Sequence, residues 1–372
     1  MNLNRIKDYI DELVEKGIPS GDIRILKDHE EVFRYMTGYT DRNKTVPVSD
    51  ETQYLMFSMT KVQTMTALMQ LVERGKLSLD DNVGKYLDAY SHLTAVENGV
   101  TYPVDDLKIW HLASMQSGLN YDLERPGIVR VLKEKGDAAT TREIVDSFAE
   151  TPLDFRPGTH FQYSLSHDVV AAVIEVVSGM KFSEYLTENI WKPLGMDRTY
   201  FAKPYNNDPK LADQFIYGES GNPEYMEPTC NYQLSAAYES GGAGLISCTR
   251  DYSILADTLA CGGISSDNVR ILKPETVEVF KKSLLGEASY YDIAVTMGRK
   301  AYGYGVGMQI FEKPVLVGSK APAGIFGWDG AAGSCVQMDT ASKVSFVYTM
   351  HVRNCGFVYD IVHPRLRDLV FG

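Results

Sequence analysis

The stretch YLMFSMTKVQTMTALMQLVERGKLSLDDNVGKYL runs from Tyr54 to Leu87. It opens on a short apolar run, Tyr54-Leu55-Met56-Phe57, and then changes period. From Thr60 onward, Val62, Met65, Leu68, Met69 and Val72 fall on one helical face, and Gly75 closes the pattern. Ser58 stands at the junction. Lys61 follows it by nearly one turn, so the two side chains project from the same face. The first-turn N–H groups of such a helix have no intrahelical partner. A serine hydroxyl is a weak nucleophile until a base takes its proton. A lysine acts as that base only when its amine is neutral, which calls for burial or a neighbouring cation. On spacing alone, the same pair also reads as a helix N-cap and a solvated lysine. The pattern S-x-x-K recurs at Ser178-Gly179-Met180-Lys181, where the serine ends a helical stretch and Gly179 breaks the geometry.

Toward the N-terminus, Ile6, Tyr9, Ile10, Leu13 and Val14 recur at helical spacing between charges, which predicts an amphipathic helix rather than a signal peptide. Residues 23–57 read as a strand region. Ile23, Ile25 and Leu26 precede a polar turn, Asp28-His29-Glu30-Glu31, and Val32, Phe33 and Tyr35 follow it as the second arm of a hairpin. Residues 76–235 read as mainly helical, with helices over Thr141–Ala149, Asp168–Val177 and Phe182–Ile190. Asp251–Leu259 is another helix, closed by Gly262-Gly263, and Pro274 opens the next. Tyr302–Met308 and Val344–Met350 return to strand character. The last helix is expected over Tyr359–Val370, interrupted at Pro364. Strands near both ends with helices between predict an α+β or α/β fold whose sheet is built from both chain ends. The expected lobes are 1–75 with 236–372, carrying the sheet, and 76–235, a helical insertion.

Composition narrows the function. Of 372 residues, 44% are hydrophobic and 23% charged, enough to bury a large core. The net charge of −12 disfavours nucleic acid as a partner. The longest apolar runs fall short of the ~18–20 residues that cross a bilayer, so no membrane partner and a cytoplasmic location are expected. The five cysteines are odd in number and contain no C-x-x-C pair. No G-x-S-x-G, H-E-x-x-H, Walker A or G-x-G-x-x-G occurs. The seven histidines show no ligand spacing, so neither a metal nor a cofactor is called for, and His351 and His363 read as structural. Ser266-Asp267-Asn268 and Gly241-Gly242-Ala243-Gly244 read as a loop and as a turn that lets the lobes pack closely.

The Tyr54–Leu87 stretch resembles the serine-nucleophile segment of the penicillin-recognising serine hydrolases, the superfamily of class C β-lactamases, DD-peptidases and family VIII carboxylesterases. Further segments resemble it in the same order: Trp110–Leu119, with Met115-Gln116 in place of the usual His-Thr; Arg156–Val177, around a motif tyrosine; Glu239–Gly263, a Gly-rich loop and helix; and Phe326–Asp339, a third-motif strand. The resemblance implies a β-lactamase-like fold, an antiparallel sheet flanked by helices, with the active site between the lobes. It implies Ser58 as acylated nucleophile, and Lys61 and Tyr163 sharing the base and acid roles. It places an oxyanion hole at the backbone N–H groups of Ser58 and Ala331. The small-residue run Gly330–Gly333 reads as strand that lets substrate approach.

Departures from the family pattern point to the substrate. The position two after the tyrosine, Asn in many β-lactamases, is Leu165. The K-T-G tripeptide of many relatives is Trp328-Asp329-Gly330. Tryptophan cannot replace an ammonium, and Asp329 is expected to repel a carboxylate. Tyr-Ser-Leu and Trp-x-Gly resemble family VIII carboxylesterases. Leu165, Trp328, Asp329 and Gly330 are the expected substrate contacts. A small neutral ester is the expected substrate, with an amide, a β-lactam or acyl transfer as alternatives and a non-catalytic binding protein as a further one. Loops 120–140 and 203–232 are expected to shape the cleft.

Overall fold

Strand Val344–Thr349 is buried along its whole length. Its alternating side chains serve two cores. Phe346 and Tyr348 join Ile6, Ile10, Leu366 and Leu369 on one face, whereas Val347 joins Leu255 and Leu259 on the other. The computed structural model describes all residues except Tyr205 and Asn207, which lie within the 203–232 loop. Seven strands form the main sheet: β1 (Ser20–Lys27), β2 (Glu30–Gly38), β3 (Tyr302–Tyr304), β4 (Gln309–Phe311), β5 (Phe326–Asp329), β6 (Cys335–Asp339) and β7 (Val344–Thr349). Their order is β3-β4-β5-β6-β7-β1-β2, antiparallel throughout. The chain ends therefore meet inside one sheet, as the strand pattern predicts.

Six helices matter most: α1 (Leu3–Glu15), α2 (Thr60–Glu73), α3 (Ser166–Ser178), α4 (Thr249–Ala260), α5 (Glu287–Met297) and α6 (His363–Phe371). Helices α1 and α6 cover one face of the sheet and α4 the other. Helix α2 departs from expectation. Its periodicity suggests one apolar face, yet every residue from Thr60 to Leu71 is buried. A helix enclosed on all sides must satisfy its polar groups internally. Thr66 donates to the Val62 carbonyl at 2.8 Å, and Gln63 accepts from Trp191 Nε1 at 2.6 Å.

Other expectations need correction. The 76–235 segment, expected to be mainly helical, also holds the hairpins Leu93–Glu97 with Val100–Val104 and Gln214–Tyr217 with Pro223–Met226. Helices Pro126–Lys135 and α5 were not foreseen. The last helical stretch is interrupted at Pro364 as expected: a wider π turn over Val358–Val362 gives way to α6, and the proline stands in the first turn after the change. Gly330–Gly333 is not strand but the tight turn joining β5 to β6, closed by a bond from the Gly333 N–H to the Gly330 carbonyl at 2.9 Å. Among the described residues no helix is long and apolar enough to cross a membrane.

Candidate active site

The turn into α2 is built to hold Ser58 outward. Tyr54 and Leu55 pair with Ser247 and Ile246, and the buried His351 ring accepts the Leu55 N–H at 3.3 Å while its other nitrogen meets the carbonyls of Ala212 and Asp213. Phe57 then adopts φ +45°, a left-handed conformation that is strained for a bulky side chain. Its ring is fully buried, edge-on to Tyr232 at 6.4 Å. The first turn closes with the Met59 N–H on the Met56 carbonyl at 3.1 Å. The Ser58 N–H precedes that bond, and its hydroxyl lines a cavity.

Lys61 is fully buried. Its ammonium donates to Ser58 Oγ at 3.1 Å, to the Tyr121 hydroxyl at 2.9 Å and to the Gly242 carbonyl at 2.7 Å. Burial lowers its pKa to about 7, against the pull of the negative charges on Asp168 and Asp329. Asp168, on α3, accepts the hydroxyls of Tyr238 (2.7 Å) and Ser240 (2.6 Å), which pins the loop carrying Gly242. Gly242 must be glycine: a Cβ would lie 2.6 Å from Asp168 Oδ2 and 3.5 Å from Lys61 Nζ. The 241–244 turn thus packs closely, as expected, and also holds the lysine.

Tyr163 lies just ahead of α3. Its hydroxyl accepts from Trp328 Nε1 at 2.9 Å, and Lys61 Nζ stands 4.6 Å from the centre of its ring. Burial raises the phenol's pKa well above the usual tyrosine value, with the Ser58 hydroxyl and the Trp328 indole opposing. Ser58 and Tyr163, remote in sequence, line one cavity, and Lys61, buried outside the lining, reaches both of them.

Ala331 stands on the neighbouring turn. Tyr359 donates to the Gly330 carbonyl at 2.9 Å, His363 to the Gly333 carbonyl at 2.9 Å, and the Val352 N–H to the Ala332 carbonyl at 3.0 Å. These bonds fix the turn around Ala331, which lines the same cavity as Ser58. Gly330 lets the turn dock onto the serine turn, since a Cβ there would sit 2.4 Å from the Met56 carbonyl oxygen.

The cavity measures about 580 Å³ and is walled by Tyr121, Tyr163, Tyr232, Trp328 and Tyr359. The rings contact in series, Tyr232 to Tyr121 to Tyr163 to Trp328, with centroids 5.4, 5.4 and 5.5 Å apart. Three substrate-contact expectations change. Leu165 is buried in the core at the start of α3 and lies outside the lining. Gly330 contributes backbone to the turn rather than a cavity surface. Asp329 does line the cavity, but its carboxylate accepts from buried Arg299 at 2.5 Å, so its charge is compensated and repels less than expected. Trp328 lines the wall as expected.

Tyr121 and Tyr232 fall in the loops 120–140 and 203–232 that the sequence assigns to the cleft, without being singled out there, whereas Arg299 and Tyr359 escaped the sequence reading. Arg299 follows α5, which is held by Gln116: the Ser289 hydroxyl donates to Gln116 Oε1 at 2.8 Å, and Gln116 Nε2 donates to the Leu284 carbonyl at 3.1 Å. The departure from His-Thr at 115–116 therefore anchors the wall that carries Arg299. Ser266-Asp267-Asn268 sits in a turn between Ile264 and Arg270, away from the lining.

Comparison with known proteins identifies the family and the fold. The family model described as Beta-lactamase matches residues 6–358. The chain belongs to the beta-lactamase family. Esterase EstB of Burkholderia gladioli is 27% identical over 389 residues, covering 99% of this chain and 95% of the esterase. The solved structure of EstCE1, described as a hydrolase with promiscuous acyltransferase activity, superposes with a TM-score of 0.81 at 25% identity, covering 99% of this chain and 98% of that one. Simvastatin synthase (LovD) from Aspergillus terreus shares the fold, with a TM-score of 0.77 at 19% identity over 100% of this chain and 98% of that one. The family is one of serine hydrolases, and the likeness to family VIII esterases read from the motifs extends to its esterase relatives.

Proposed function

We propose that this member of the beta-lactamase family hydrolyses small neutral carboxylic esters through an acyl-enzyme on Ser58. One observation carries the reading: the Ser58 hydroxyl lies 3.1 Å from a fully buried lysine amine and opens into an aromatic-walled cavity. Burial lowers the lysine pKa to about 7, so a share of the amine is neutral at neutral pH and can accept the serine proton. Tyr163, pushed upward, stays a phenol and serves as a proton donor and relay rather than as the base. In acylation, Ser58 Oγ bonds to the ester carbon and its proton passes to Lys61. The carbonyl oxygen becomes an oxyanion facing the N–H groups of Ser58 and Ala331. The tetrahedral intermediate collapses, the C–O bond to the alcohol breaks, and the alkoxide leaves with a proton from Lys61 through Tyr163. Water repeats the sequence and releases the acid.

The wall favours an uncharged substrate. Trp328 offers no ammonium, Arg299 is committed to Asp329, and Asp360 stands exposed at the cavity lining. The same aromatic surface can hold an organic alcohol against water, so acyl transfer is the second reading, in keeping with the description of EstCE1. Amide or β-lactam cleavage would need a carboxylate or amide contact that Trp328 and Leu165 do not supply. The test compares p-nitrophenyl acetate and butyrate turnover by the native chain and Ser58→Ala, with intact mass after a fluorophosphonate. Equal turnover by both proteins, or no adduct on Ser58, overturns the assignment. Product partition with an added alcohol separates hydrolysis from transfer.

A further inference from the structure

The tip of the β1–β2 hairpin carries chemistry that the serine site does not use. Lys27 pairs with Glu30, so the loop is the dipeptide Asp28-His29. Both residues have positive φ, +49° and +73°. Two-residue loops of this kind favour Asn or Asp followed by Gly. A histidine in the second position is strained by comparison. The ring is nevertheless held in place. Asp257, on α4, accepts from His29 Nδ1 at 2.7 Å and from the His29 backbone N–H at 3.2 Å. A carboxylate on Nδ1 fixes the tautomer and leaves the Nε2 lone pair free, the arrangement that orients a metal-ligating histidine. Cys261, just past α4, brings a thiol to the same place. One ligand atom from each of Asp28, His29 and Cys261 lies within 4.8 Å of the others.

We propose that Asp28, His29 and Cys261 form a binding site for a transition-metal dication of the zinc class, with Asp257 orienting the His29 ring. Nitrogen, sulfur and oxygen donors together select Zn²⁺, Co²⁺ or Ni²⁺ over Mg²⁺ and Ca²⁺. Metal–ligand bonds of ~2.0–2.3 Å place tetrahedral ligand atoms roughly 3.3–3.8 Å apart, so ligand atoms lying within 4.8 Å of one another need only a small rearrangement to bind an ion. An exposed hairpin tip allows that by side-chain rotation. Lys343 donates to Asp28 Oδ1 at 2.9 Å and leaves the second oxygen for the ion. Asp257 Oδ1, 3.8 Å from Cys261 Sγ, or a water completes the coordination. Binding forms a metal–thiolate bond and releases the thiol proton to solvent, with no change of oxidation state. The ion would clamp the hairpin to α4. Spacing along the chain could not reveal the cluster, because the fold brings Cys261 to a dipeptide far upstream. None of its residues lines the catalytic cavity.

The test uses the full chain, stripped with a chelator and titrated with Co²⁺. One equivalent should bind and produce a thiolate-to-cobalt charge-transfer band. Cys261→Ser should abolish the band, and His29→Asn, which tolerates positive φ, should weaken binding at least ~10-fold. Zn²⁺ should raise the Tm of the native chain and not that of Cys261→Ser, while the metal-free Tm and ester turnover of the two agree. No band, a band that survives in Cys261→Ser, or a Zn²⁺ shift equal in both proteins would each overturn the assignment.

Discussion

Ser58-Met59-Thr60-Lys61 and Ser178-Gly179-Met180-Lys181 share a pattern and differ in everything around it. In the first, the serine starts a helix, and the lysine is fully buried with an amine on Ser58, Tyr121 and Gly242. In the second, the serine ends α3 and turns its hydroxyl back onto the Ile174 carbonyl at 2.6 Å. Gly179 takes the left-handed φ of +71° that stops the helix, and Lys181 is exposed to solvent. The spacing supplies only the possibility of contact. Burial supplies the altered amine, and the free first turn supplies unpaired N–H groups, so position on the helix decides whether the pattern is equipped for the proposed chemistry.

The largest expected effect tests that contrast directly. Ser58→Ala should cut p-nitrophenyl butyrate turnover by at least ~10³-fold, whereas Ser178→Ala should leave it within about twofold. Comparable losses in both would erase the distinction. Next, Lys61→Ala should lower kcat by ~10²–10⁴-fold, and Lys61→Arg should fare no better, because a guanidinium keeps its proton. Lys181→Ala should be silent. A Lys61→Arg protein with near-native kcat would remove the lysine from the base role.

A smaller effect sharpens the same comparison through pH. The amine must be neutral to take the serine proton, so kcat/KM should rise with pH and reach half its plateau near 7. The Asp168 charge favours the ammonium form. Asp168→Asn should therefore move the rising limb toward lower pH, and a limb that stays put would exclude Asp168 from tuning the lysine. Least of all, Trp328→Phe should keep the wall but lose the indole N–H on Tyr163, raising KM or lowering kcat by ~10-fold or less. A larger loss, with unchanged Tm, would mean that the indole does more than position the phenol.

Much of this was legible in the chain, and the reasons differ by residue. Strands at both ends, α1, the hairpin around Asp28 and the turn into α2 all carry local signals of period, cap and turn. Ser58, Lys61, Tyr163 and Ala331 were reachable because each lies in a recognisable segment. Arg299 was not. It follows α5, whose sequence EASYYDIAVTM shows no apolar stripe, and its meaning depends on Asp329, thirty positions later on another element. That missing cation is why Asp329 reads as repulsive in the sequence and compensated in the fold. Leu165 failed for the converse reason: a family position was carried over, while this apolar side chain obeys burial and turns into the core. The all-round burial of α2 was hidden because Thr, Gln and Lys look solvated until their internal partners are known.

Phe57 shows what aiming one oxygen asks of a protein. Its backbone is cocked into a conformation that it would leave if released, and its ring is wedged between Tyr232 and the Arg353 guanidinium 5.2 Å away. Glycine would relax the bend and at the same time let the wedge go. Resilience and marksmanship thus pull this residue in opposite directions, and the sequence has settled for the second.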